Sequence, residues 1–161
     1  MRRTIKLGVA VGLSLAAAGI AVTSASSSDA DHPRTEIIHA LAAEDPGTTI
    51  PLDLDHSGDD SVGDQLVFSV DLFADGRKIG FDGGRCQLVR APALFNCVSV
   101  NQLPKGQVTA QGLNDFSQGD GPYHFAITGG TGAYRKAHGE VEVLFRSPDP
   151  EHSRVTFRII R

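Results

Sequence analysis

Three carboxylates and two ring side chains are the residues of this chain best suited to chemistry inside an apolar enclosure. A carboxylate that is withdrawn from water has a raised pKa and can serve as a general acid or base, and tyrosine and histidine can also pass a proton. Each of the five fits a solvent-facing position on its strand or loop equally well, so both orientations stay open. These residues are Asp53, Asp71, Asp115, Tyr123 and His138.

The acidic segment 53–64, DLDHSGDDSVGD, resembles the pattern of a calcium-binding loop. Asp53, Asp55, Ser57 and Asp64 stand at positions 1, 3, 5 and 12, and Gly58 stands at position 6, where such a loop turns sharply. Position 12 is usually glutamate, and neither flank reads as a helix. A solvated polar turn between two strands is therefore the alternative to calcium. No other metal and no cofactor is expected, because the six histidines show no ligand spacing.

The two cysteines flank a turn at Ala91-Pro92. If that turn is tight, Cys86 and Cys97 face each other on neighbouring antiparallel strands, within bridging distance. An even number of cysteines in an exported protein also favours a bond. The sequence therefore predicts a Cys86–Cys97 disulfide.

The segment 125–143, FAITGGTGAYRKAHGEVEV, is the most strongly patterned part of the chain. A short apolar run is followed by clustered glycines and then by glutamates that alternate with valines, which is typical of a strand, a glycine corner and a second strand. A phosphate-binding loop would need a third glycine or a Lys-Ser/Thr pair after the cluster, and neither is present. Nucleotide binding is therefore disfavoured.

Alternation with a period of two recurs along the chain and predicts eight strands joined by short turns. Residues 35–43 fit one or two helical turns or an edge strand equally well. The predicted strands are Thr48–Asp55, Gln65–Ala74, Arg77–Arg90, Ala93–Gln102, Gln107–Leu113, Tyr123–Thr128, His138–Ser147 and Ser153–Ile160. Residues 82–84, Asp-Gly-Gly, interrupt the third of these strands, which predicts a bulge or bend there.

These strands favour an all-β domain that closes into an eight-stranded antiparallel barrel with a short N-terminal extension. Closure leaves no unpaired strand edge, and a two-sheet sandwich is the alternative. The expected organisation is a signal peptide over residues 1–25, a leader or linker over 26–47, and the barrel over 48–161.

The signal peptide is predicted from three basic residues, Arg2, Arg3 and Lys6, which precede an apolar stretch and small residues up to Ala25. A second candidate cleavage site follows Ala30. Cleavage removes only positive charges, so the mature chain is more negative than the −4 of the full sequence. A secreted protein with no nucleic acid or membrane partner is expected, because both surfaces attract a basic face.

Residues 127–139, ITGGTGAYRKAHG, resemble the ITGG-x-G-x-(F/Y)-x-x-A-x-G segment of plant allene oxide cyclases and dirigent proteins, which are eight-stranded antiparallel barrels. The similarity to allene oxide cyclases extends from about Val62 to Val143. It includes VGDQLVFSVDLF, RKIGFDGGRCQLV and QGDGPYHFAITGG. The resemblance implies a barrel with an apolar pocket in which a bound fatty-acid epoxide is cyclised, and a homotrimer.

Carried over by position, the charge-stabilising glutamate of that family falls near Asp53 and its neighbouring asparagine near Asp55. An asparagine on the next strand falls on Val70, which cannot hydrogen-bond a water, and the pocket cysteine falls on Cys86. A reactive thiol is therefore the alternative to the disulfide. The aspartate of dirigent proteins has its nearest match in Asp115, with Tyr123 near the place of their arginine. The resemblance implies a small apolar ligand, and an isomerase if the protein is an enzyme. The predicted ligand-pocket residues are Val70, from its carried-over position, and His138, from its place among the barrel-lining candidates.

Overall fold

The computed structural model describes residues 33–44, 47–145 and 152–161, and nearly all regular structure within them is β. Two single-turn 3-10 helices, Phe116–Gln118 and Gly132–Tyr134, are the exceptions. The strands are β1 (Thr35–Glu44), β2 (Ile50–Leu52), β3 (Gln65–Ala74), β4 (Arg77–Arg90), β5 (Leu94–Leu103), β6 (Gly106–Asp115), β7 (Tyr123–Gly130), β8 (His138–Phe145) and β9 (His152–Ile160).

The strands form one closed antiparallel barrel, which confirms the predicted fold class and rejects the sandwich. From β3 to β9 each strand pairs with the next, and β1 pairs with both β9 and β3, which closes the ring of eight. The ninth strand, β2, pairs only with β3, beyond the end of β1. The barrel thus has no long unpaired edge among the described strands.

The first barrel strand is β1, so the barrel begins before residue 48, and the assignment of residues 35–44 to a leader or linker is wrong. Its inward positions include the small residues Ala40 and Ala42 beside Ile38, whereas Ile37 and Leu41 point outward and are 57% and 39% exposed. Because large apolar side chains lie on both faces of β1, its sequence lacks the alternation typical of a half-buried strand.

The predicted strand over residues 48–55 is reduced to the three residues of β2. Its apolar residues Ile50 and Leu52 are exposed, as is Leu54 in the loop that follows. An alternation of apolar and polar residues normally indicates burial of one face, but here no element packs over that face in the described chain.

Large side chains fill one end of the barrel, which we call the filled end. Leu72, Leu103, Tyr134, Phe157 and Ile159 are at most 1% exposed and pack together there. The glycine corner belongs to this end: a Cβ on Gly130 would lie 2.1 Å from the Gln107 carbonyl oxygen. The glycines thus allow close backbone approach, and the corner shows no feature of a phosphate-binding loop.

The N-terminal predictions cannot be compared with the described residues. The predicted signal peptide and both cleavage positions lie outside them. Within the described ranges, no helix has the length and apolarity needed to cross a membrane.

Candidate functional site

The other half of the barrel encloses a cavity of about 340 Å³. It lies between the filled end and an opening at the exposed residues Glu44 and Phe145, which we call the open end. Every one of the eight barrel strands contributes an inward side chain. Most lining residues are apolar: Ala42, Leu66, Phe68, Val70, Cys86, Cys97, Ala110, Phe116, Phe125, Val141, Val143, Phe145 and Val155; the others are Glu44, Thr49, Asp82, Ser99, Asn101 and Ser153.

Small residues at inward positions create this space. Ala42 and Ala110 stand where larger side chains would fill the barrel, and both line the cavity. Gly84 lies between Asp82 and Cys86 on the inward side of β4, and a Cβ there would come within 2.9 Å of the Phe68 ring and 2.8 Å of the Ser99 Cβ. Substitution of either alanine by a larger residue would therefore reduce the cavity, and a Cβ on Gly84 would also lie 2.4 Å from the Val98 carbonyl oxygen.

Three polar side chains, Asp82, Ser99 and Asn101, form a polar floor between the cavity and the filled end. Asp82 on β4 pairs directly with Asn101 on β5, and Val70 pairs with Asp82 from the other side. Asn101 is 2% exposed and donates from its side-chain amide to Ser99 Oγ over 3.3 Å. The strand register, rather than a loop, therefore positions these groups.

The carboxyl group of Asp82 has the most strongly perturbed titration in the described chain. Burial raises its pKa from the ordinary 3.8 to about 7, and hydrogen bonds from the Ser99 hydroxyl and the Gly83 N–H oppose the rise. Its Oδ1 atom is out of contact with solvent and has no hydrogen-bond partner among the described residues. A carboxyl group with a raised pKa in the lining of a mostly apolar cavity is suited to hydrogen-bond a ligand or to exchange a proton with it.

The five polar residues predicted to line the barrel are not brought together. Asp53 lies in an exposed loop, where its Oδ2 accepts from the Gly58 N–H over 2.9 Å. Asp71 lies on the outer side of β3 in an ion pair with Lys78 at 2.7 Å. His138 is exposed at the start of β8. None of these three residues lines the cavity.

The other two lie near the open end, outside the cavity lining. Asp115 accepts hydrogen bonds from the hydroxyl and N–H of Ser117, which lower its pKa. Tyr123 is buried against the Phe116 and Phe145 rings and donates its hydroxyl to the Gly119 carbonyl, and its burial raises its pKa. Asp115 thus acts as a turn acceptor and Tyr123 as packing. Of the two residues predicted to line the ligand pocket, Val70 and His138, only Val70 lines the cavity.

Sequence reasoning missed the polar floor because it placed a bulge at residues 82–84. In the structure β4 runs unbroken through that segment, and the register shifts lie elsewhere, at Leu72/Phe73 opposite β4 and at Leu88/Arg90. Asp82 therefore shares the inward face with Cys86, four residues away. Counting by twos from the cysteine would have found it.

The predicted disulfide is confirmed: Cys86 and Cys97 are directly paired across β4 and β5, with their sulfur atoms bonded at 2.00 Å. The described residues include no free cysteine. Both half-cystines line the cavity wall and are almost fully buried. The reactive-thiol alternative at Cys86 is therefore wrong.

The acidic loop brings ligand atoms of Asp53, Asp55 and Asp64 within 4.8 Å of one another. Hydrogen bonds within the loop account for this convergence. The Ser57 and Ser61 hydroxyls and the Ser57 N–H lower the pKa of Asp55 to about 2, and Asp64 accepts from the Leu54 and Ser61 N–H groups. Calcium binding stays a prediction, checked by thermal unfolding with calcium and with magnesium.

A second group on the outer wall, His124, Glu140 and Glu142, has ligand atoms equally close together. Arg158 lies 3.2 Å from a carboxylate oxygen of each glutamate. The guanidinium already supplies the positive charge that a metal ion would bring to these carboxylates. We therefore interpret this group as a surface ion-pair network.

Solved structures with the same barrel include two named as enzymes and one named as a dirigent protein. A pyocyanin demethylase is 28% identical, with a TM-score of 0.65, and the match covers 77% of this chain and 99% of that one. The exo-specific intermolecular Diels-Alderase AbnU is 17% identical, with a TM-score of 0.62 over 81% of this chain and 99% of that one. The pterocarpan synthase dirigent protein PsPTS1 is 18% identical, with a TM-score of 0.61 over 79% and 94%.

The last two similarities show the fold alone, given their low identity. No curated protein matches the chain. The family model of the allene oxide cyclase barrel like domain matches residues 45–157, which is well over half of the sequence. The chain therefore belongs to the family of allene oxide cyclase barrel like proteins.

Proposed function

We propose that this protein is a secreted barrel that binds a small, largely apolar molecule in its cavity and isomerises or cyclises it. The observation that carries the proposal is the Asp82 carboxyl on the polar floor of a mostly apolar cavity. The ligand enters at the open end, contacts the apolar walls, and places one polar atom against the polar floor.

Binding is supported by the size and lining of the cavity. Its volume of about 340 Å³ falls in the lower part of the range of small-molecule sites, and such sites combine apolar walls with a few convergent polar groups. The burial of apolar ligand surface supplies the affinity, and the polar floor supplies the orientation.

Catalysis is supported by the pKa of Asp82, about 7, which makes both protonation states accessible at neutral pH. The neutral carboxyl donates a proton to an oxygen or nitrogen of the ligand, and the resulting carboxylate accepts a proton from a ligand carbon. An isomerisation or cyclisation conserves all ligand atoms, so this one residue can complete the proton cycle. The Ser99 hydroxyl holds the carboxyl by a hydrogen bond, and Asn101 in turn donates to Ser99.

Demethylation is the second candidate reaction, favoured by the 28% identity to the pyocyanin demethylase. A non-catalytic binding barrel is the alternative in which Asp82 only orients the ligand.

Native mass spectrometry of the purified protein, followed by reaction of the identified ligand with wild type and Asp82→Asn, distinguishes these functions. Turnover that is unchanged in Asp82→Asn would contradict an acid–base role.

Export and self-association complete the proposal. The basic and apolar N-terminal segment and the disulfide support an extracellular location. The family resemblance leads us to propose a homotrimer, which light scattering of the purified protein tests.

Ala110→Leu is expected to weaken binding of the neutral fluorescent probe N-phenyl-1-naphthylamine by about tenfold or more, because three added carbons occupy the cavity. Ala110 is inward and 3% exposed. The matched control is Gln111→Leu, which adds a leucine at the adjacent, exposed position of the same strand. Fluorescence titration measures both affinities. Equal affinities of the two variants would place the probe outside the barrel and overturn cavity binding.

A further inference from the structure

The cavity carries negative charge without any compensating cation. Its ionisable lining residues are Asp82 on the floor and Glu44 at the open end, and the described lining includes no lysine, arginine or histidine. Glu44 is exposed and accepts from the Thr49 hydroxyl over 2.7 Å. A ligand moving from the open end to the floor therefore passes one carboxylate and ends against a second.

This arrangement discriminates between ligands by charge. A ligand anion would lose its hydration inside the barrel, find no positive partner and approach a carboxyl group. A ligand cation would lose its hydration as well, but it would gain a charge-assisted hydrogen bond to the Asp82 carboxylate, which lines the cavity. A protonatable nitrogen would obtain the same contact after accepting the proton of Asp82.

We propose that the ligand of this cavity is an apolar molecule with one cationic or protonatable nitrogen, bound to the Asp82 carboxyl group, and that carboxylates of the same size are rejected. This inference rests on the proposed function, since it names the ligand class of that site. It reverses the expectation of a fatty-acid ligand that the family resemblance implies.

No other ionisable group in the described lining opposes this assignment. The residues of β3 that face the polar floor are Phe68 and Val70, and β5 presents Ser99 and Asn101. The walls from β6 to β9 present apolar side chains and Ser153. Asp82 and Glu44 are thus the groups that set the charge preference.

Three naphthalene probes of nearly equal size test the inference: the cation 1-naphthylmethylamine, the neutral 1-naphthalenemethanol and the anion 1-naphthoate. Titrations at pH 8.5 keep Asp82 ionised, since its pKa is about 7. The cation is expected to bind about tenfold or more tightly than the neutral probe, and the anion more weakly than both. Asp82→Asn is expected to bring the cation and the neutral probe to within about threefold of each other.

The controls separate this inference from the proposed function. Asp71→Asn removes a carboxylate from the outer face of β3 and is expected to leave the preference for the cation intact. Equal or tighter binding of the anion, or a cation preference that persists in an Asp82→Asn/Glu44→Gln variant, would overturn the inference while cavity binding stands. If no probe binds, or if binding ignores Ala110→Leu, the proposed function itself fails.

Discussion

Asp82→Asn is expected to be more stable than wild type above pH 7 and to lose that advantage as the pH falls toward 4. The pKa of Asp82 is raised from 3.8 to about 7 in the folded barrel, because burial disfavours the charged form. The difference between the two values corresponds to about 4 kcal/mol of unfolding free energy.

The sign follows from which state binds the proton more tightly. Below pH 4 the carboxyl is protonated in the folded and unfolded chain alike, so it has no charge to bury. Between pH 4 and pH 7 the unfolded chain releases the proton while the folded barrel still holds it, and the stability of wild type falls as the pH rises. Above pH 7 the buried charge persists at its full cost, which the neutral asparagine avoids.

Urea unfolding of both proteins at pH 4, 6 and 8.5 measures this dependence. The outer-face variant Asp71→Asn controls for the loss of one carboxylate. A stability difference between Asp82→Asn and wild type that is the same at all three pH values would show that Asp82 ionises freely in the folded protein. The acid–base role in the proposed function would then lose its basis.

The strand pattern of the chain predicted most of this barrel. In β9, Val155, Phe157 and Ile159 alternate with polar residues and are all buried, as a half-buried strand requires. The pattern failed for β1, where Ile37 and Leu41 face outward while Ala40 and Ala42 face inward, and for β2, where all three residues are exposed. Periodicity reports which residues share a face, and large apolar residues on the outer wall of a small barrel reverse the inference about which face is buried.

The same ambiguity explains why the site was harder to predict than the fold. On β3, Phe68 and Val70 face the cavity while Asp71 faces solvent, although both faces of the strand carry apolar residues. The orientation of Asp71 depends on the register with β4, which a single sequence does not reveal. Asp82 could have been oriented from Cys86, because two paired cysteines identify one common face of β4 and β5.

Removal of the Cys86–Cys97 bond is expected to lower the unfolding free energy by about 3 kcal/mol, as the chain-entropy model gives for a loop of this length. The two residues are separated by 11 positions and join the middle of the β4–β5 hairpin. The bond restricts the unfolded chain more than the folded one, because the strand ladder already holds these residues opposite each other.

Urea unfolding of the wild type with and without reductant isolates the cross-link, since reduction leaves both sulfur atoms in the cavity wall. The Cys86→Ala/Cys97→Ala variant is expected to lose more stability than the reduced wild type, because the two buried sulfurs no longer pack. Thiol titration of the unreduced, unfolded protein is expected to find no free thiol. Two free thiols, or a reduced protein as stable as the oxidised one, would show that the bond does not stabilise the barrel in solution.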